Sequence, residues 1–118
     1  MEMYHEPVEE LSSKDRDIHR ALVSLKEEVE AVDWYHQRAA TASDDAVKAI
    51  IEHNRNEEME HASMLLEWLR RNVPEWDEAL RTYLFTEEPI TEIEASAAGE
   101  EEASGSGRGS LGIGSLKE

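Results

Sequence analysis

The chain has no cysteine. Disulfides, thiolate metal sites and cysteine nucleophiles are therefore excluded, and the absence suits a reducing compartment such as the cytoplasm. Positive charge is scarce: 12 Lys and Arg stand against 28 Asp and Glu, for a net charge of −16. Phosphate recognition needs clustered Lys and Arg, so nucleic acid is not an expected partner, and neither is an anionic membrane surface. Cations are the natural ligands of so acidic a chain. No apolar run approaches the ~20 residues needed to cross a bilayer. The stretch Met1–Glu6 has neither a basic start nor an apolar core, so no secretory leader is expected. The three prolines, Pro7, Pro74 and Pro89, mark boundaries rather than interrupt long segments.

What those boundaries enclose is helical. Residues 1–12 read as a loose acidic arm. Ser12 or Ser13 supplies an N-cap, and no proline or glycine follows until after Ala40. Ile18, Leu22, Leu25, Val29, Val32 and Ala39 recur at helical spacing. The run Thr41-Ala42-Ser43-Asp44 reads as a turn and a new cap. A second helix is expected from about Asp45 to Arg71, ending on two arginines that suit its C-terminal dipole. Each helix is about 40 Å long at 1.5 Å per residue. The short turn makes them antiparallel neighbours. Pro74 opens a third, shorter helix to about Phe85, and helical character is expected to end by residue 93. Residues 94–109, rich in Ala, Ser, Gly and Glu, read as a flexible linker. After it, residues 110–118 carry Leu111, Ile113 and Leu116 spaced by Gly and Ser, a pattern that fits small apolar pockets on a partner. The fold expected of residues 13–93 is all-α: an antiparallel hairpin plus a short helix. One hairpin leaves apolar stripes uncovered, so two should pair into a four-helix bundle.

The stretch Glu57-Glu58-Met59-Glu60-His61 carries the chemistry. Val47, Ile50, Asn54, Glu58, His61, Leu65 and Trp68 follow the spacing of an inward-facing seam, with a carboxylate and an imidazole where leucine would be ordinary. Glu58 and His61, three apart, can hold one metal ion between them. Antiparallel pairing about the turn sets residue x opposite about 85 − x, which brings Glu28 of the first helix to the same level. Di-iron carboxylate bundles take one Glu from each of two helices and Glu-x-x-His from each of the other two. One chain holds half of that set, and a two-fold dimer completes it. Two Glu from each of two chains give −4, which two divalent ions balance. The residues alone do not choose iron over other divalent ions. A metal-bridged helical cargo or adaptor without catalysis fits the same residues, and so does a metal-free helical dimer.

Two segments and the tail point to a family. Glu27-Glu28-Val29-Glu30-Ala31-Val32-Asp33-Trp34-Tyr35-His36-Gln37-Arg38 and His53-Asn54-Arg55-Asn56-Glu57-Glu58-Met59-Glu60-His61-Ala62-Ser63-Met64-Leu65-Leu66-Glu67-Trp68 closely resemble the encapsulated ferritins. Gly109-Ser110-Leu111-Gly112-Ile113-Gly114-Ser115-Leu116-Lys117 resembles their encapsulin-targeting peptide. The resemblance implies hairpins that pair across a ferroxidase centre with two Fe per dimer. It also implies dimers closed into a ring, commonly a decamer, and packing inside an encapsulin nanocompartment of the cytoplasm. That shell, reached through residues 110–118, would store the ferric product. The family's centre falls on Glu28, Glu58 and His61. Its accessory metal site falls on Glu27 and Glu30, with Trp34 and Tyr35 close by.

Overall fold

The computed structural model describes residues 4–104, with side chains through residue 99. The expected tail 110–118, and residues 105–109 of the expected linker, lie outside the described residues. All regular structure among the described residues is helical: a 3-10 turn at Val8–Glu10, then α1 (Ser13–Thr41), α2 (Asp45–Asn72), α3 (Pro74–Tyr83) and α4 (Ile90–Ser104). The chain divides into two compact units, Met1–Trp68 and Leu69–Glu118. The boundary falls inside the continuous helix α2.

In the first unit the caps are local and specific. The Ser12 side chain accepts from the Asp15 N–H at 3.0 Å, and Asp44 Oδ1 accepts from the Val47 N–H at 2.9 Å. Each satisfies one of the donors that a helix start leaves open. Residues 4–12 are not the loose arm expected of them. Arg16 donates from Nε and Nη2 to the Val8 carbonyl, at 3.1 and 2.6 Å, and Tyr4 stacks on the His19 ring with centroids 4.1 Å apart. A guanidinium and a ring four and seven residues into the sequence that follows hold down an arm that composition alone describes as polar.

α1 and α2 run antiparallel, and two cross-helix contacts give their register. Arg55 Nη1 lies 3.2 Å from His36 Nδ1, and His61 Nδ1 lies 3.5 Å from Glu28 Oε1. Residue x therefore faces about 90 − x, a slip of a little over one turn from the expected 85 − x. The turn accounts for one residue of that slip, since α1 runs to Thr41 and α2 starts at Asp45; the Thr41 hydroxyl donates to the Gln37 carbonyl at 3.2 Å.

The apolar stripes are only partly covered within one chain, as expected of a single hairpin. Among the described residues the buried hydrophobic side chains are Ala21, Val23 and Ala39 in the first unit and Leu69 in the second, and of these Leu69 is fully buried. Leu22 and Val29 of α1 stand exposed, as do Val47 and Ile50 of α2. A second helix covers only one stripe of each, and among the described residues Leu22, Val29, Val47 and Ile50 stay uncovered.

In the second unit, Asp77 of α3 accepts from Arg70 of α2, and from Arg81 Nε at 2.9 Å. The two guanidiniums, Arg70 foremost, hold the Asp77 carboxyl below its ordinary value. A depressed folded value means stability that is present above the ordinary carboxylate range and is lost as pH falls through the folded value. Asp77→Asn should therefore melt lower than wild type near neutral pH, and the difference should vanish in acid. A difference that persists unchanged at acid pH would refute the ionic origin of this contact.

α3 ends before the expected Phe85. Leu84 and Phe85 form a turn, with the Thr86 hydroxyl donating to the Tyr83 carbonyl at 2.7 Å. Phe85 adopts φ 62, in the left-handed region. The remaining difference is α4. Residues 94–104, expected as linker, are helical. Their signal is intrinsic propensity, since Ala and Glu are strong helix formers, and not an apolar period. Pro89 marks the start, and its carbonyl accepts the first helical N–H groups, of Glu92 and Ile93.

Candidate metal centre

Glu28 sits midway along α1. Glu58 and His61 sit one turn apart on α2, at the level that the hairpin register sets opposite Glu28. One ligand atom from each of the three side chains can be chosen so that all lie within 4.8 Å of one another. Among the described residues this is the one group of three or more metal-ligating side chains with that property. His61 Nδ1 is 3.0 Å from Glu58 Oε1 and 3.5 Å from Glu28 Oε1. The side chains of Glu28 and Glu58 are 27% and 25% exposed, and that of His61 45%. Both carboxylates are drawn into the hairpin while the imidazole borders solvent, so the cluster is open on one side within a single chain.

The electrostatics are those of acids crowded together. A hydrogen bond with Glu58 is the largest of the effects that raise Glu28 above its ordinary value; burial and the neighbouring negative charge add to it, and His61 opposes them. Glu58 moves the other way, chiefly because it accepts that hydrogen bond, and also because it accepts one from His61. His61 is raised, first by its bond to Glu58. The raised Glu28 and His61 both favour keeping a proton at this cluster, where a cation would offset the same negative charge. Two carboxylate oxygens and one imidazole nitrogen are a donor set suited to a divalent transition metal. Metal and protons compete for these atoms.

The other predicted residues are placed differently. Glu27, Glu30 and Trp34 share one face of α1 and are exposed, Trp34 by 53%, and within one chain they do not join the cluster. Tyr35 is half-buried, with the Arg38 guanidinium 5.4 Å from its ring centroid. His53 lies 3.8 Å from Glu57, on the exposed side of α2. Sequence reading missed the pairing of His36 with Arg55 across the helices. Nothing in the apolar spacing points to such a pair.

An antiparallel helical hairpin that carries Glu on one helix and Glu-x-x-His on the other has the residue types of half a carboxylate-and-histidine bundle site. Comparison with known proteins agrees with the geometry. The sequence profile described as EncFtn-like matches residues 3–87, and the chain belongs to that family. It is 67% identical over 112 residues to a "Ferritin-like protein" of Thermotoga maritima, covering 95% of this chain and 96% of that one. It is 57% identical over 121 residues to an "Encapsulated ferritin-like protein" of Rhodospirillum rubrum, covering 96% of this chain and 86% of that one. A crystal structure of a protein from Nitrosomonas europaea superposes with a TM-score of 0.73 at 56% identity, over 75% of this chain and 98% of that one.

Proposed function

We propose that this chain is a ferroxidase. Two copies pair so that Glu28, Glu58 and His61 of each face one another and bind two Fe(II) ions as substrate. Each Fe(II) gives up one electron to oxygen, and the ferric product leaves for mineral growth elsewhere. The observation that carries this reading is the convergence of the three ligand atoms within 4.8 Å on an otherwise unremarkable hairpin. Two carboxylates and an imidazole per chain leave a single half-site short of ligands for a pair of irons. A second copy doubles the set and balances charge, four carboxylates against two divalent ions. The hard oxygen donors favour the more highly charged ferric state, which supports oxidation in that direction.

The family and the printed name of the Rhodospirillum relative support association with an encapsulin shell. In this reading residues 110–118 dock on the inner face of the shell, and a ring of dimers such as a decamer presents many tails at once. Many weak contacts then hold firmly. No helix among the described residues is long and apolar enough to cross a membrane. The site of action is a nanocompartment of the cytoplasm. Glu27, Glu30 and Trp34 serve as an accessory station where Fe(II) gathers before it reaches the centre.

Native mass spectrometry of the purified protein with anaerobic Fe(II) tests the assembly directly. The expected result is a dimer, or a multiple of it, holding two irons per pair, followed by ferric absorbance when air is admitted. Tight binding of a divalent ion with no catalysed oxidation would replace this reading with that of a metal-bridged adaptor. Removing residues 110–118 should leave oxidation intact and abolish packaging into a co-expressed shell. Truncated protein that is still recovered inside the shell would show that the tail is not the address.

A further inference from the structure

The cluster of Glu28, Glu58 and His61 asks for a helix register that it does little to enforce. Glu58 and His61 share α2, so Glu28 alone reaches across from α1. There its carboxylate meets a second carboxylate, and the two repel when both are ionised. The tolerance is small. One residue of slip between the helices moves Glu28 by about 1.5 Å along the axis. A metal constellation has to be held to about 0.5 Å. The register must therefore be fixed by contacts outside the cluster.

Arg55 and His36 make such a contact. Arg55 Nη1 lies 3.2 Å from His36 Nδ1, and Arg55 Nε donates to Asn56 Oδ1 at 3.2 Å. A guanidinium only donates, so His36 Nδ1 accepts and the other ring nitrogen carries the proton. The bond to Asn56, on its own helix, holds the plane of the half-buried guanidinium and leaves Nη1 aimed at α1. The pair stands eight residues from Glu28 along α1 and six from His61 along α2, about 12 and 9 Å, on the side of the cluster nearer the turn. At 3.2 Å the bond is at the long end of the direct range, so a slip of one residue breaks it. We propose that Arg55 and His36 are positioning residues of the metal centre: their bond across the hairpin sets the register at which Glu28 meets Glu58 and His61. Neither is a ligand. The turn holds the hairpin at one end, this bond holds it again part of the way along, and the cluster is the next level beyond.

This role rests on the proposed metal centre and not on oxidation there. Anaerobic titration of the full-length, metal-free protein with Co(II) tests it, because the visible absorption of Co(II) reports the geometry of its ligands. His36→Leu removes the acceptor at an exposed position, and Arg55→Met removes the donor. Each should weaken Co(II) binding about 10- to 100-fold, the range for partners just outside a ligand set. The double variant should be no weaker than the weaker single one, since both remove the same bond. Excess Co(II) should restore the wild-type spectrum, because binding then draws the helices into register. His36→Asn puts an amide oxygen where Nδ1 stood and should bind as wild type does. Helical content should be the same throughout. Wild-type affinity in both His36→Leu and Arg55→Met would overturn the inference. So would equal losses in His36→Asn and His36→Leu, which would trace the effect to the bulk of the ring, and so would a fall in helical content alongside weaker binding. A wild type that binds no Co(II) would remove the centre and this role together. A wild type that binds Co(II), with the variants weakened as expected, but never oxidises iron would remove the ferroxidase alone.

Discussion

Replacing Glu58 with Ala is expected to slow Fe(II) oxidation at least about 100-fold, the upper end of the effect of disturbing even the supporting shell of a metal site. Glu58 is the residue on which the other two depend. It accepts from His61 Nδ1 at 3.0 Å and shares a hydrogen bond with Glu28. Its loss removes one ligand and frees the other two to turn away. The substitution should not unfold the protein, because Glu58 is a quarter exposed and lies on a helix that alanine favours. The melting temperature of metal-free protein should hold or rise, since two acids no longer crowd one place. Glu58→Gln separates shape from charge. It keeps the volume and should still lose the activity, because an amide does not balance a cation. Loss of activity joined to unchanged or greater stability marks a site that folding does not need. If Glu58→Ala oxidised iron as fast as wild type, as followed by ferric absorbance in air, the centre would lie elsewhere.

How much of this was legible beforehand varies with the kind of signal. The ends of α1 and α2 were readable to within a residue or so, because capping is local chemistry: Ser12 and Asp44 accept the N–H groups that their positions imply. The trio was readable because two helical spacings and one short turn determine it. The error in register, a little over one turn, did not displace Glu28 from Glu58, since a glutamate side chain spans that distance. His36 and Arg55 went unnoticed because a polar pair across two helices leaves no trace in apolar spacing. α4 was unreadable to a search for apolar period, because its Ala, Ser and Glu residues carry propensity without an amphipathic face. The uncovered stripes were readable as well. Periodicity says which side of a helix is apolar, and one partner helix is too few to cover both helices' stripes in full. Leu22, Val29, Val47 and Ile50 are on apolar stripes and exposed.

That exposure leads to the second large effect. Ile50 is 60% exposed, Val47 48% and Met64 63%, and all lie on the side of α2 that also carries His61. In the proposed ferroxidase this side meets its copy, so the same association that covers the aliphatics completes the metal site. Ile50→Glu should therefore act on iron without touching a ligand. Carrying a carboxylate into an apolar interface costs about 3 kcal/mol or more, roughly 100-fold or more in the dissociation constant. At micromolar protein the variant should run as a monomer in analytical ultracentrifugation, with its helical content intact by circular dichroism. Oxidation per chain should collapse with the dimer and recover as concentration rises, because mass action governs a site built from two chains. Wild type should show no such dependence over the same range. An Ile50→Glu monomer that oxidises iron at the wild-type rate would mean that one hairpin suffices. The open side of the Glu28, Glu58 and His61 cluster would then be a doorway for iron, and the half-site would be the whole of it.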